Sequence, residues 1–251
     1  MAQINKPNEY FNTKLYTGDG NSSHAITGVG FQPDWVWIKR RNDVDSHFIY
    51  DSVRFYGSNA YWLQTNNTNA EGSDRPLTAF GSDGFTIGSN NSGLNANSST
   101  YVSWNWLASN TTASNTDGSI TSTVSANTTA GFSIVSYTGT GANATVGHGL
   151  GAVPRMIIVK RRDGSDSWVV QHGSLGASKA LNLDSTGAVQ TYDPYWNATE
   201  PTTSVFSIGT DGRTNGSSET YIAYCFAEKK GYSKFGSYTG NGNADGTFIY
   251  T

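Results

Sequence analysis

Wherever apolar residues cluster in this chain, they alternate with a period of two. In PDWVWIKRR, which begins at Pro33, an extended backbone puts Trp35, Trp37 and Lys39 on one face and Val36, Ile38 and Arg40 on the other. In PRMIIVKRR, which begins at Pro154, the two faces are Met156, Ile158, Lys160 and Ile157, Val159, Arg161. Both faces start apolar, so each strand is expected to be covered on two sides. A turn follows, RRND or RRDG, and then SHFIYD or SWVVQH, which predicts two hairpins around 39–50 and 160–171; Asp163-Gly164 is a two-residue turn signal. Later in each half, Val102, Trp104 and Trp106 share a face, as do Ile222, Tyr224 and Phe226. Opposite them stand Ser103 and Asn105, or Ala223 and Cys225. The expectation is that the rings fill each core while the small-residue face is closely approached by another surface. No stretch carries a convincing helical period.

The two phrases are 121 residues apart, and the correspondence extends beyond them. YTG at Tyr16 returns at Tyr137, GFTIG at Gly84 is echoed by VFSIG at Val205, and STYVSWNWLA from Ser99 faces ETYIAYCFAE from Glu219. That is an internal duplication. A third copy opens as KFGSYTGNGNADGTFIYT at Lys234. Between the first two lies a segment in which 15 of 22 residues are Ser, Thr or Asn and only Asp117 is charged. It reads as a linker, with Ile120 and Val124 placed to pin a short edge strand. The expected organisation is a β-sandwich over 1–108, a linker over 109–130, a second sandwich over 131–228 and the start of a third repeat over 229–251. The fold class is all-β: tandem antiparallel sandwiches of jelly-roll or lectin-like type.

Composition narrows the possible partners. Charged residues make up 14% of the chain and the formal net charge is −3, so no basic field attracts nucleic acid or an anionic membrane. The KRR clusters do not change this, because Asp43 and Asp45, or Asp163 and Asp166, follow them at once. A single cysteine, Cys225, rules out an internal disulfide framework and reads as a small buried residue. The N-terminal residues show no leader-like apolar segment and no window is long enough to cross a membrane as a helix, which predicts a product made in the cytoplasm.

Catalytic chemistry has weak footing in the sequence. The histidines His24, His47, His148 and His172 fall opposite Thr145, Trp168, Thr27 and Asp51 in the other copy, which leaves no shared metal site. VGHGLGAVP reads as a turn before a strand rather than a phosphate loop, and the acidic turns at Asp43, Asp163 and Asp211 lack the ligand series of a calcium loop. HGSLG puts Ser174 beside His172 without an elbow motif or an orienting acid. The expectation is a non-enzymatic protein with no cofactor. The candidate binding residues are Tyr61, Trp62, Tyr192, Tyr195 and Trp196, aromatic rings in polar segments where an exposed face could stack on a sugar; the same rings could instead cap the core. A glycan-binding module and a polysaccharide-degrading enzyme are the rival readings.

Taken together, YTGDG, GVGFQPDWVWIKRR, FGSDGFTIGSN, TYVSWNW, SNTDGSITSTVSANTTAGFSIVSYTGTG, TVGHGLG and GYSKFGSYTGNG resemble tandem-repeat virion proteins of bacteriophages, especially those of marine bacteria and cyanobacteria. The resemblance covers nearly the whole chain. It implies a tail fibre or other structural role in the virion, with other virion proteins as partners. No catalytic motif comes with it. A homo-oligomer, a trimer favoured, is expected separately, because the apolar second face of the repeated strand needs covering and closed symmetry lets identical copies cover it; host-surface glycans are the further candidate partner.

Overall fold

The computed structural model describes residues 3–57, 59–88 and 92–249. The protein is all-β, with antiparallel ladders throughout its sheets. The first half contributes β1 (Phe11–Thr17), β2 (His24–Thr27), β3 (Trp35–Arg40), β4 (Phe48–Asp51), β5 (Phe55–Tyr56), β6 (Asn59–Gln64), β7 (Gly72–Gly81), β8 (Gly84–Ile87) and β9 (Thr100–Trp106). They form one sheet in the order β1-β9-β3-β4-β6-β7-β8-β2, with β5 on β6. The second half contributes β10 (Ala113–Asn115), β11 (Ser122–Asn127), β12 (Phe132–Thr138), β13 (Ala144–Gly147), β14 (Pro154–Arg161), β15 (Val169–His172), β16 (Lys179–Asn182), β17 (Gln190–Thr191), β18 (Val205–Ile208) and β19 (Thr220–Ala227). Here the order is β10-β11-β12-β19-β14-β15-β16-β17, with β13 and β18 paired separately.

The duplication is visible in the register. In the β3–β4 hairpin Trp35 faces Asp51 and Ile38 faces Phe48; in β14–β15 Met156 faces His172 and Val159 faces Val169. Each of these pairs is the other moved by 121 positions. The connections, residues 41–47 and 162–168, are longer than the two-residue turn suggested by Asp163-Gly164. The cause is visible in Asp163, whose carboxylate accepts from Arg161 Nε at 2.8 Å and from the Thr220 amide at 2.9 Å, which holds the loop wide.

Each strand of the repeated phrase is covered on both faces, as expected, but on the late strands β9 and β19 the two faces are reversed from the expectation. Val36, Ile38, Phe48, Tyr50 and Tyr101 pack with Phe85 and Ile87 inside the first sandwich. Ile157, Val159, Val135, Ala223 and Cys225 pack with Phe206 and Trp196 inside the second. The small-residue face therefore lines each module's own core, where stacked tyrosines, Tyr16 on Tyr101 and Tyr137 on Tyr221, occupy the remaining space. The aromatic face, Trp35, Phe132, Ile158, Tyr224 and Phe226, packs instead against the other module.

The Ser/Thr/Asn-rich segment does more than connect. Residues 113–115 and 122–127 are β10 and β11, and β11 pairs with β12 from Asn127–Phe132 to Thr123–Ser136. Ile120 and Val124 are both buried in the second core. A segment this polar orders because β12 supplies its backbone partners and because Ser125, also buried, bonds Ser109 at 3.0 Å. At the other end, residues 234–249 carry no strand; Phe235 lies against the interface between the modules, while Tyr238 and Phe248 are exposed.

The equivalent edge of the first module is uncovered. β12 is flanked by β11, whereas β1 pairs only with β9 among the described residues. Position 14, the counterpart of Val135 in the second core, is Lys14, whose ammonium approaches Gly28 and lies near Asp83. An inward-pointing lysine on an open edge strand is a barrier to edge-to-edge pairing. Lys14→Val is therefore expected to promote self-association through β1, seen as a concentration-dependent shift in sedimentation velocity that the parent chain lacks.

Candidate functional site

The seam between the modules is the most chemically distinctive region of the molecule. Trp35 is at its centre, with its ring 4.4 Å from Trp106, 4.5 Å from Tyr224 and 5.6 Å from Phe132. Residues 120 or 121 positions apart occupy corresponding places, so the seam is built from pairs: Phe11 with Phe132, Trp35 with Met156, Trp37 with Ile158, and Trp106 with Phe226. These four pairs, together with Ala130, Gly131, Tyr232, Ser233 and Phe235, line an apolar cavity of about 280 Å³. Gly131 is in the left-handed region at φ +71°, and a Cβ there would meet the Ala227 carbonyl and the Lys229 side chain, so the wall is closely fitted. The turn over the cavity is tied down by Lys229 and Ser233 exchanging backbone hydrogen bonds, and the Ile4 amide donates to the Lys230 carbonyl at 3.0 Å.

Beside this apolar centre runs a one-sided polar latch. Asp51 and Arg54 are both fully buried, and their side chains bond at 2.7 Å. Tyr224, from the second module, donates its hydroxyl to the Asp51 carboxylate at 2.7 Å. Glu71 then accepts from Arg54 at 3.4 Å and, in a two-point contact, from Arg162 of the second module at 3.0 and 2.9 Å. Arg162 also donates to the Tyr56 hydroxyl at 2.7 Å, and the Glu71 amide donates to the Arg162 carbonyl at 2.8 Å. Burial works against the Arg162 charge, but the hydrogen bond and charge of Glu71 outweigh it and hold the guanidinium above its ordinary pKa. A further cross-module bond runs from the Trp168 indole to the Gln64 carbonyl at 2.9 Å.

The repeated KRR tails have specific structural roles. Lys39 donates to the carbonyls of Arg40 and Asp43 at 2.6 and 3.2 Å, and Lys160 donates to those of Arg161 and Gly164 at the same two distances. The next residue pairs with the acids that follow: Arg40 with Asp43 and Asp45, Arg161 with Asp163 and Asp166. Burial pulls the Lys160 ammonium down to about 8, with Asp166 and Asp184 opposing the shift. The unfolded chain holds that proton to about pH 10.4, so between these values it binds more protons than the folded one and stability rises with pH. Measured against Lys160→Met, which cancels other titrations, the parent should gain up to about 1.4 kcal/mol per pH unit from pH 8 towards 10.4 in urea denaturation. A flat difference would show that the ammonium is not buried at a cost.

The five candidate sugar-stacking rings fall in two groups, Tyr61 and Trp62 on β6 and Tyr192, Tyr195 and Trp196 around the 3-10 turn of the second module, and neither group forms an open platform. Tyr195 and Trp196 are 0% exposed and belong to the second core, so neither offers a face to a ligand. The 3-10 turn Asp193–Tyr195 points them inward, and Arg213 covers Tyr195 with its guanidinium carbon 4.6 Å from the ring centroid. Tyr192 is 41% exposed and edge-on to Tyr195. Tyr61 and Trp62 are neighbours on β6 and so point to opposite faces; Trp62 donates to Asp74 at 2.7 Å, and Tyr61 packs edge-on to Tyr56.

The histidines are held by local structure. His24 Nδ1 is 2.7 Å from Asn95 Oδ1, and Asn95 organises the YTG loop as Asn215 does in the second module, accepting from Asp19 and Thr140 respectively. His148 is buried, with Nε2 3.2 Å from the Thr202 carbonyl, and desolvation lowers its pKa. His172 Nδ1 is 2.8 Å from Ser174 Oγ, and among the described residues no carboxylate bonds its ring. No group of three or more His, Cys, Asp or Glu side chains among the described residues could hold a metal ion.

Residues 6–251 match a protein family described as Domain of unknown function (DUF7483), and the chain belongs to that family. No curated protein and no solved structure matches the chain. The family match runs through both sandwiches and the segment joining them.

Proposed function

We propose that the protein is a structural component of a bacteriophage virion, a tail fibre or surface appendage assembled in the host cytoplasm, and not an enzyme. The observation that carries this reading is the seam: two duplicated sandwiches share one aromatic centre and one ion-pair latch, which makes the pair a stiff spacer suited to a load-bearing assembly. The repeated phrases that resemble phage virion proteins supply the setting. Other virion proteins are the proposed partners, with copies of the chain associating around a closed axis as a trimer and outward surfaces free to meet host glycans. The apolar second face of the repeated strand does not motivate this association, because the other module already covers it. Its support is the surface segment on which Leu183, Val189 and Tyr192 are exposed within ten residues of one another. The test is mass spectrometry of washed particles together with sedimentation of the purified protein. The proposal expects the chain in the particle and a trimer in solution. A stable monomer that is absent from washed virions would overturn it.

A further inference from the structure

We propose that the cavity in the seam is a binding site for an uncharged, planar aromatic molecule of about two fused rings. This does not depend on the virion reading. Its volume, about 280 Å³, is roughly twice that of the ~150 Å³ apolar cavity that accommodates benzene in a protein interior. Its walls are rings and aliphatic chains, with Trp35, Trp37, Trp106, Phe132 and Phe226 presenting faces and edges suited to offset stacking. The polar groups at the wall are few. The Trp37 indole is committed to His47 Nδ1 at 3.0 Å, and the Ser233 hydroxyl donates to the Ala227 carbonyl at 3.1 Å. The Trp35 indole nitrogen lacks an acceptor, but it is buried in the packing and shielded from the open space. A sugar would leave most of its hydroxyls unpaired here, and a charged ligand would find no counter-ion on the lining. A neutral aromatic avoids both costs. The site is also preformed, because its walls belong to the sheets of both modules and its rim is tied by backbone hydrogen bonds.

The repeat supplies the blocking substitution. Met156 lines the cavity at the place where the first module carries Trp35, so Met156→Trp puts the duplicated residue into the open space. The probe is 6-propionyl-2-(dimethylamino)naphthalene, a neutral two-ring ketone whose emission shifts to the blue in apolar surroundings, titrated into the full chain. The expected result is a saturable blue shift with a dissociation constant at or below about 100 μM and parallel quenching of tryptophan emission. Met156→Trp should weaken binding at least about tenfold. Ala130→Leu, which adds bulk to the lining, is the second variant should the first fail to fold, and melting curves identify which variants are native. No saturable binding by the parent, undiminished binding by a folded variant, or displacement of the probe by a methyl glycoside would each overturn the proposal.

Discussion

Asp51→Ala should destabilise the protein by about 3–5 kcal/mol in urea denaturation. The Asp51 carboxylate accepts from Arg54 Nε, from the Arg54 amide and from the Tyr224 hydroxyl at 2.7–2.9 Å, all in a fully buried setting. Without it, the guanidinium of Arg54 keeps only the longer contact to Glu71 at 3.4 Å and the Tyr224 oxygen at 3.4 Å, and it remains shut off from water. The cost is that of an uncompensated buried charge more than that of one lost bond. Two companions separate these causes. Asp51→Ala with Arg54→Met removes both charges and should recover much of the loss. Glu9→Ala breaks the exposed Lys6–Glu9 pair and should change stability by less than about 1 kcal/mol. An Asp51→Ala penalty as small as that of Glu9→Ala would mean the latch contributes nothing beyond a surface ion pair.

The repeated strands and the two hairpins were readable because the phrase from Pro33 and its copy from Pro154 share one period-two pattern and because the duplication checks one reading against the other. Which face turns inward was not readable. Trp35 and Val36 are both apolar, and alternation assigns them to opposite faces without saying which face meets the module's own second layer. The decision lies in the stacked pairs Tyr16–Tyr101 and Tyr137–Tyr221, which fill each core and leave room only for small neighbours such as Ala223 and Cys225. Tyr195 and Trp196 misled for a related reason. Their neighbours Asp193, Pro194 and Asn197 signal a surface loop, yet the 3-10 turn Asp193–Tyr195 buries the rings, and the Tyr195 and Trp196 amides both bond within it. The linker's polarity hid β10, whereas Ile120 and Val124 marked the place of β11, whose partner β12 is supplied by residues later in the chain. The latch left one trace in the sequence: Asp51 and Arg54 interrupt FIYDSVRF, a stretch otherwise apolar enough to be buried. Arg162 left none, since its counterpart Arg41 is exposed and the two are written alike.

Trp35→Ala should be the most informative substitution in the seam. The indole is 2% exposed and touches rings from both modules, so its removal is expected to cost about 3–5 kcal/mol. The loss falls on the contact between modules rather than on either core, because Trp35 packs with Phe132, Ile158 and Tyr224 while the first core is held by Val36, Ile38 and Phe85 and the second by Val159, Cys225 and Phe206. Two bodies that each keep a complete core but share a weakened interface no longer need to unfold together. Scanning calorimetry should accordingly show one transition for the parent and two for Trp35→Ala. Phe48→Ala, which opens the first core instead, should lower stability by a similar amount without such a split. Should Trp35→Ala melt in a single transition with the parent's ratio of calorimetric to van't Hoff enthalpy, the modules would be coupled by something other than the aromatic seam, and the polar contacts between them, Glu71 with Arg162, Asp51 with Tyr224 and Gln64 with Trp168, would be the elements left to carry that coupling.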